Sequence, residues 1–326
     1  MRVGVLAYES CLAAEIFVFT DLLLIANRVA TGVADRASTD PFQVSVIAVS
    51  GTPVVAAGGF SIGTRECHRD IDHLVVPGFE LVPSEDPASR LSLWNREIDF
   101  IRTCEARGVR VSSVCVGAYL LGEAGLLDGR RCTTSWLYGT DLAGRYPTAT
   151  VRTDSLVVHD DGVTTTAAFT AALDLATALV REHLGDKVAR TTARIALAPE
   201  NRTSQSPYVV DSMLPVKHTQ FAEDVGSWLV ERIAEPYDLD LLSDAFRVST
   251  RTMLRKFRDE TGESPRAYLQ RARVRKAKRL LESTDWPLGK ILGHIGYQDP
   301  GTFRRLFADR VGISPADYRK RFRNGA

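Results

Sequence analysis

Residues 112–129 read SSVCVGAYLLGEAGLLDG, and this stretch decides the fold of the first half of the 326-residue chain. Its apolar start predicts a strand that ends at Cys115, and the segment after Gly117 has the spacing of a helix. A sharp turn from strand to helix is how many enzymes present a nucleophile. Cys115 is therefore a candidate for a catalytic residue, a sensor or a small buried hydrophobe.

Strand and helix signals alternate on both sides of this stretch. Segments with helical spacing cover residues 14–29 and 90–106, and an antiparallel hairpin with its turn at 160–162 precedes a closing helix at 167–183. The apolar, β-branched runs that predict strands are VGVLA (3–7), FQVSVIAV (42–49), HLVVPG (73–78) and VRVSSV (109–114). Such alternation predicts a doubly wound α/β domain, a mostly parallel sheet with helices on both faces.

A change of composition separates this domain from the rest of the chain. Residues 197–217, LAPENRTSQSPYVVDSMLPVK, carry three prolines among polar residues, which is typical of a linker. Helical spacing then resumes and continues almost to the last residue. We therefore predict a first domain at 1–185, a linker at 186–218 and an all-α domain at 219–326.

The two ends of the chain carry opposite charge. From Pro236 onward, 20 Lys and Arg stand against 11 Asp and Glu, a net charge of +9, whereas the preceding residues carry 21 against 29, a net charge of −8. Such an asymmetry indicates a basic module that meets a polyanion.

The remaining composition is that of a globular protein with two domains, 44% hydrophobic and 25% charged. RVGVLAY at the start predicts a strand rather than a signal peptide, and no apolar run is long enough to cross a membrane. The five cysteines lack metal-ligand spacing, which predicts reduced thiols in a cytoplasmic protein without a metal or cofactor.

A repeat with an offset of fifty residues organises the basic domain. STRTMLRKFRDETGESPRAY (249–268) matches DPGTFRRLFADRVGISPADY (299–318), and repeats signal duplicated structural units. In each copy a short helix, at 239–246 or 288–295, precedes a turn and a second helix that begins at a capping residue. The sequence therefore predicts two helix-turn-helix units, joined by one long helix at 267–283.

Arginines mark the predicted outer faces of the two second helices. Met253 and Phe257 in the first copy, and Phe303 and Phe307 in the second, lie four residues apart and face the core. The arginines point away from them, where a guanidinium can read guanine or bind a phosphate. The candidate DNA-binding residues are Thr250, Arg251, Thr252, Leu254, Arg255, Thr302, Arg304 and Arg305. Two such helices about 34 Å apart would enter successive major grooves, so double-stranded DNA is the expected partner.

The repeated pattern is also a family signature. F-x4-G-x-S-P-x-x-Y occurs at 257–268 and again at 307–318, and G-Y-x-D occurs at 296–299. At these residues the chain resembles the AraC-type DNA-binding domain. The chain departs from that family where Ser243 and Leu292 replace a small alanine on the first helix of each unit.

The strand-to-helix turn at Cys115 is called the elbow below. The stretch around it, 112–129, carries a second resemblance together with T-T-S-W at 133–136. It resembles the ThiJ/PfpI superfamily, whose fold is class I glutamine-amidotransferase-like and flavodoxin-like, and most closely the GlxA-type regulators, which join this domain to an AraC domain. The resemblance implies that Cys115 occupies the elbow and that Glu15 is the glutamate after the first strand. It also implies that the turn at Pro77 and Gly78 offers backbone N–H groups to an oxyanion.

Ser135 departs from the T-T-H-W pattern of relatives in which a histidine lies near the cysteine. A thiol nucleophile needs a base or a cationic partner, and serine is neither. Four histidines of the first 185 residues, His68, His73, His159 and His183, are expected at the surface or in the hairpin rather than as a replacement base. We therefore predict that the pocket of Cys115, Glu15, Gly78 and Ser135 is degenerate and that the protein is not an enzyme.

The sequence thus predicts a homodimeric transcription regulator that binds a promoter and senses a small-molecule effector at the degenerate pocket. Three alternatives stay open at this point. The first unit could be a cysteine-dependent amidase or hydrolase with a DNA-targeting domain, a dimerisation scaffold without a ligand, or a thiol redox sensor that pairs Cys115 with Cys132.

Overall fold

The computed structural model describes residues 1–33, 40–66, 70–81, 87–199, 202–210, 213 and 219–323. The chain forms two compact units, Met1–Gln205 and Ser206–Ala326, called unit 1 and unit 2 below. In the part of the chain that is described, no helix is both long and apolar enough to span a membrane.

Unit 1 alternates strands and helices as the sequence predicts. Its strands are β1 (Arg2–Leu6), β2 (Gln43–Ala48), β3 (Val54–Val55), β4 (Ser61–Ile62), β5 (Arg65–Glu66), β6 (His73–Val76), β7 (Arg110–Ser113), β8 (Arg131–Cys132), β9 (Thr150–Val151), β10 (Val157–Asp160) and β11 (Val163–Thr166). Its helices are α1 (Ala13–Val33), α2 (Pro87–Leu91), α3 (Asn95–Ala106), α4 (Ala118–Glu123), α5 (Gly139–Arg145) and α6 (Ala171–Ile195).

The main sheet has the strand order β10-β11-β7-β6-β1-β2-β5. Its neighbouring strands are parallel, except that β10 runs antiparallel to β11. The inner order β2-β1-β6-β7-β11 is that of a flavodoxin-like sheet, whose topological switch point lies between β1 and β6. The predicted doubly wound, mostly parallel sheet is therefore confirmed.

The burial of the strands follows from this topology. The central strand β6 is buried at every position, because helices cover both faces of a parallel sheet. The antiparallel edge is the predicted hairpin, in which Asp160 pairs with Val163. Its two turn residues, Asp161 and Gly162, have φ of 43° and 75°, as a tight hairpin turn requires.

Helix α6 differs from the predicted closing helix. It extends from Ala171 to Ile195 and kinks at Gly185, where φ is 83° and ψ is 169°. It continues past the kink because Val188 and Ala189 are buried against the core of unit 1. The predicted boundary at 185 and the start of the predicted linker therefore fall inside this helix.

The end of unit 1 is also anchored rather than linker-like. Arg202 forms an ion pair with Asp174 of α6, and both side chains are largely buried. Ser204 forms a β-bridge with Ser155, and the Gln205 side chain is only 2% exposed. Because these contacts belong to unit 1, the division between the units lies after residue 205.

Unit 2 is helical and contains the predicted duplication. Its helices are α7 (Gln220–Glu231), α8 (Leu239–Ala245), α9 (Thr250–Thr261), α10 (Pro265–Ser283), α11 (Leu288–Ile295), α12 (Pro300–Val311) and α13 (Pro315–Phe322). Helices α8 and α9 form the first helix-turn-helix unit, and α11 and α12 form the second. The long helix α10 joins them.

The repeated sequence motif is a sequence of helix stop and start signals. Gly262 and Gly312 end α9 and α12 in the left-handed conformation, with φ of 77° and 81°. Ser264 then caps α10 through the Ala267 N–H, and a proline occupies the first turn. In both copies the tyrosine of the motif packs edge-on against the phenylalanine, with ring centroids 5.6 Å apart.

The two departures from the AraC pattern are both buried. Leu292 is 2% exposed and packs with Ile295 and Phe303 in the core of the second helix-turn-helix unit. Ser243 is also 2% exposed, and its Oγ has no hydrogen-bond partner among the residues described. Unit 2 therefore accommodates a larger side chain at one copy and a polar one at the other.

Candidate functional site

The elbow at Cys115 has the strained backbone that its sequence predicts. Cys115 lies two residues after the end of β7 and begins the single 3-10 turn that leads into α4. Its φ is 55°, in the left-handed region that few non-glycine residues adopt. Gly117 lies so close to β6 that a Cβ atom there would be 2.6 Å from the carbonyl oxygens of Val76 and Pro77. The glycine two residues after the cysteine is therefore required by this close approach.

The first turn of α1 and the ends of β6 and β7 bring Glu15, Gly78 and Cys115 together. Gly78 follows β6 and donates its N–H to Glu15 Oε2 at 2.6 Å. A Cβ atom on Gly78 would lie 3.2 Å from the Cys115 Cβ and 3.2 Å from the same carboxylate oxygen. The structure thus places three of the four predicted pocket residues in mutual contact. Glu15 comes from the first turn of α1, and Gly78 and Cys115 come from the segments that follow β6 and β7.

Burial keeps this pair of acidic groups uncharged. Glu15 is 2% exposed, and burial raises the pKa of its carboxyl from 4.5 to about 8 despite the Gly78 hydrogen bond. Burial, and secondly the Glu15 carboxylate, raises the pKa of the Cys115 thiol to about 12. At neutral pH the thiol is therefore protonated, whereas a nucleophilic cysteine needs its thiolate.

The oxyanion site implied by the family resemblance is not available in this arrangement. The Gly78 N–H is already engaged by the Glu15 carboxylate, because a buried carboxyl requires a donor. The N–H groups of Val116 and Phe169 are directed at the Cys115 sulfur. The expectation that the Pro77–Gly78 turn offers N–H groups to a reacting oxyanion is therefore corrected.

The fourth predicted residue, Ser135, lies in a buried loop that contacts the elbow. Ser135 is 7% exposed, and the hydroxyl of its neighbour Thr134 donates to the Cys115 carbonyl at 2.8 Å. The side chain of Gln205 holds this loop from the other side. Its amide donates to the Thr134 carbonyl at 2.9 Å, and its oxygen accepts from the Trp136 N–H at 2.9 Å.

Gln205 is a functional candidate that sequence reasoning missed, because it lies in a segment that reads as a linker. A second missed feature is a cleft of about 730 Å³, which Tyr8 and Trp94 line together with polar residues after β1 and β2. Tyr8 connects the two sites, since its hydroxyl donates to the Pro77 carbonyl at 2.5 Å.

The histidines do not supply the base that Ser135 lacks. His159 lies in the hairpin as expected, and His183 is exposed on α6. The expectation for His73 was wrong, because it is 4% exposed within β6 and burial lowers its pKa to about 3. His73 pairs in the sheet with Arg110 at the start of β7, at the opposite end of that strand from Cys115. His68 lies outside the described residues.

The candidate DNA-binding residues lie on α9 and α12. Ser249 and Asp299 cap these helices with their side chains, while Phe257 and Phe307 are fully buried beneath them. On the other side of the helices, Arg251, Arg255, Arg304 and Arg305 are exposed, as is Thr302. Thr250 and Thr252 are half-buried near the start of α9, and Leu254 is 38% exposed, so it is not a core residue.

The charges on these helices are not neutralised locally. Within residues 219–323, none of the four arginines forms a salt bridge. Each of the two helices therefore presents a pair of guanidinium groups to solvent, as a surface that binds a polyanion requires.

Comparison with known protein families divides the chain as the structure does. The DJ-1/PfpI family matches residues 28–182, and a helix-turn-helix domain family matches residues 242–321. The chain is 30% identical over 294 residues to the HTH-type transcriptional regulator CdhR of Pseudomonas aeruginosa, which covers 88% of this chain and 84% of that protein.

Two further proteins that are similar to this chain are also transcriptional regulators. The chain is 24% identical over 292 residues to the HTH-type transcriptional regulator GlxA of Rhizobium meliloti, covering 86% of each. A crystal structure of an AraC family transcriptional regulator from Pseudomonas putida is 26% identical, with a TM-score of 0.49, and covers 60% of this chain and 98% of that one. The chain belongs to the family of HTH-type transcriptional regulators that join a DJ-1/PfpI domain to an AraC-type DNA-binding domain.

Proposed function

We propose that this regulator reads its operator with the exposed faces of α9 and α12, and that unit 1 is a non-enzymatic sensor and dimerisation domain. The observation that carries the DNA part is the pair of exposed arginines on each helix, Arg251 with Arg255 and Arg304 with Arg305. Equivalent caps and buried phenylalanines hold the two helices, so both would present their arginines in the same way. The proposed target is chromosomal, and the proposed site of action is accordingly the cytoplasm.

The proposal of a sensor rests on an unsatisfied group at the elbow. Glu15 Oε1 is buried and, with the Cys115 thiol as the polar side chain beside the carboxyl, has no further hydrogen-bond partner among the residues described. A buried polar atom without a partner requires an explanation, and a bound ligand or water would provide one. The cleft lined by Tyr8 and Trp94 supports the same proposal, since residues that follow β1 and β2 line it and α/β sheets bind ligands at their strand ends.

The homodimer is supported by an exposed apolar pair on α1. Phe17 and Leu24 are 45% and 52% exposed and lie two turns apart on one face of the helix. Large apolar side chains grouped on a surface are typical of interfaces. A second copy of the chain is the proposed partner for this face.

The first prediction concerns base reading by α9. Arg255→Ala in the full chain should weaken binding to a duplex selected by the wild-type protein by about 1–3 kcal/mol and relax specificity at one base position. Binding measured across a panel of single-base variants of that duplex gives both quantities. Arg96→Ala, an exposed arginine of α3, removes the same charge from unit 1 and should leave affinity unchanged. Unaltered binding by Arg255→Ala would contradict the proposed face of α9.

The second prediction concerns chemistry at the elbow. The full chain should show no cysteine-dependent amidase, esterase or deglycase turnover, because the Cys115 thiol is protonated and Ser135 is not a base. Product formation by wild type, Cys115→Ala and Cys104→Ala is the measurement, the last being a buried cysteine away from the elbow. Turnover that disappears only in Cys115→Ala would show that the unit is an enzyme.

The third prediction concerns the pH dependence of stability. Because folding raises the pKa of Glu15 from 4.5 to about 8, its stabilising contribution is complete below pH 4.5 and is lost as the pH rises to about 8. Compared with Glu15→Gln, which lacks this group and keeps the opposite contribution of buried His73, the free energy of unfolding of wild-type unit 1 should therefore fall by roughly 2–5 kcal/mol across this range.

Denaturant unfolding followed by the fluorescence of Trp94 and Trp136 reports on unit 1, in a background whose other two tryptophans are phenylalanine. The exposed Glu182→Gln should keep the wild-type slope. A slope equal to that of the wild type in Glu15→Gln would mean that Glu15 is ionised in the folded protein.

The fourth prediction separates a sensor from a scaffold. Gly78→Ala adds one methyl group 3.2 Å from Cys115 and Glu15, whereas Gly63→Ala adds one in open space. If the elbow pocket is coupled to DNA binding, Gly78→Ala should change operator affinity by about 1–3 kcal/mol and Gly63→Ala should not. Affinity and dimer mass are measured together. An intact dimer with unchanged affinity in both variants would favour the scaffold without a ligand.

A further inference from the structure

The two helix-turn-helix units of unit 2 have separate hydrophobic cores, and the division between the cores falls at Arg273. On helix α10, Leu269 and Ala272 pack into the first core, whereas Val274 and Ala277 pack into the second. A cavity of about 370 Å³ lies at this junction, with Leu269, Arg273, Tyr297 and Leu306 in its lining. Apolar packing therefore does not fill the joint between the two units.

From this position Arg273 contacts both helix-turn-helix units of unit 2. Its Nε donates to the Ile233 carbonyl at 2.9 Å, and its second guanidinium nitrogen donates to the Glu235 carbonyl at 2.5 Å. Both acceptors follow the end of α7, where the helix dipole favours a positive charge. On its other side the guanidinium lies 5.3 Å from the centre of the Tyr297 ring.

Tyr297 connects this contact to α12, the helix of the second helix-turn-helix unit that carries candidate DNA-binding residues. Its ring packs against Phe303, which is fully buried on α12, with centroids 5.2 Å apart. The preceding Gly296 allows the close approach, since a Cβ atom there would lie 2.6 Å from the Ala234 carbonyl and 2.8 Å from the Arg273 guanidinium. The backbone of the turn between α11 and α12 therefore touches the backbone that follows α7.

We propose that Arg273 is a positioning residue that sets the orientation of α12 relative to α9, and with it the spacing of the two DNA segments that the protein can read at once. The proposal rests on the proposed reading of DNA by both helices. With Arg273 in place, the two helices present one fixed separation, because a buried cation with directional hydrogen bonds permits little rotation at the joint. Without it, helix α10 and the backbone contact at Gly296 still connect the two helix-turn-helix units.

The test uses the full-length protein and a duplex selected by the wild type from a randomised library. Footprinting identifies the two contacted major-groove segments, and a second duplex carries two extra base pairs between them. The insertion moves the second segment by about 7 Å and turns it by about 70° around the DNA axis. Wild type should lose about tenfold or more in affinity on the insertion duplex.

Arg273→Met should bind the original duplex about tenfold more weakly than wild type. On the insertion duplex its affinity should fall by less than about threefold, because the joint no longer holds the two helices at one spacing. Arg273→Lys keeps the charge but has a single donor group, so its insertion penalty should lie between the two. Arg279→Met makes the same change at an exposed position of the same helix and should behave as wild type. Thermal unfolding shows whether each variant is folded, and a residue that only stabilised unit 2 would not alter the insertion penalty.

Should Arg273→Met fail to fold, Gly296→Ala addresses the same joint, because its methyl group forces the turn away from Ala234. It should show the same reduced insertion penalty. A full wild-type penalty in a folded Arg273→Met or Gly296→Ala protein overturns the role of the Arg273 joint. A wild type without any penalty overturns the simultaneous reading by α9 and α12, and the positioning role with it.

Discussion

The contact of Gly117 with the carbonyl oxygens of Val76 and Pro77 is the constraint on which the arrangement of unit 1 depends. Because nothing separates the elbow from the end of β6, Cys115 lies over Gly78, and the Gly78 N–H faces the carboxyl of Glu15. The same closeness buries both acidic groups and raises their pKa values, so both are protonated at neutral pH. A side chain at position 117 would push the elbow away from the end of β6 and would disrupt the pocket of Glu15, Gly78 and Cys115.

In unit 2, local signals rather than one close backbone contact fix the geometry of each helix-turn-helix unit. Each helix-turn-helix unit ends its recognition helix at a left-handed glycine, restarts at a serine cap and packs a tyrosine on a phenylalanine. These devices fix the geometry within each copy, and they act over a few residues. None of them fixes one copy against the other, so the relation between the copies depends on α10 and on contacts at Arg273 and Gly296.

Local and distant interactions differ in how far the sequence reveals them. The strands, the hairpin at Asp161 and Gly162 and the duplicated helices were predictable, because alternation, turn residues and caps act between near neighbours. The gathering of Glu15, Gly78 and Cys115 was accessible only through a family resemblance. The engaged Gly78 N–H, the buried His73 and the extension of α6 to Ile195 depend on tertiary burial, which leaves no local signal in the chain.

Gln205 shows what such a distant contact implies for the integrity of unit 1. Its side chain forms hydrogen bonds with the backbone carbonyl of Thr134 and the backbone N–H of Trp136. Gln205 nevertheless lies beyond the end of the family match at residue 182. A fragment cut at the end of that match would retain the whole sheet and still lack the residue that closes the loop around Cys115. Unit 1 thus extends beyond the family match, and a fragment that ends at residue 182 would lack the hydrogen bonds that Gln205 makes to this loop.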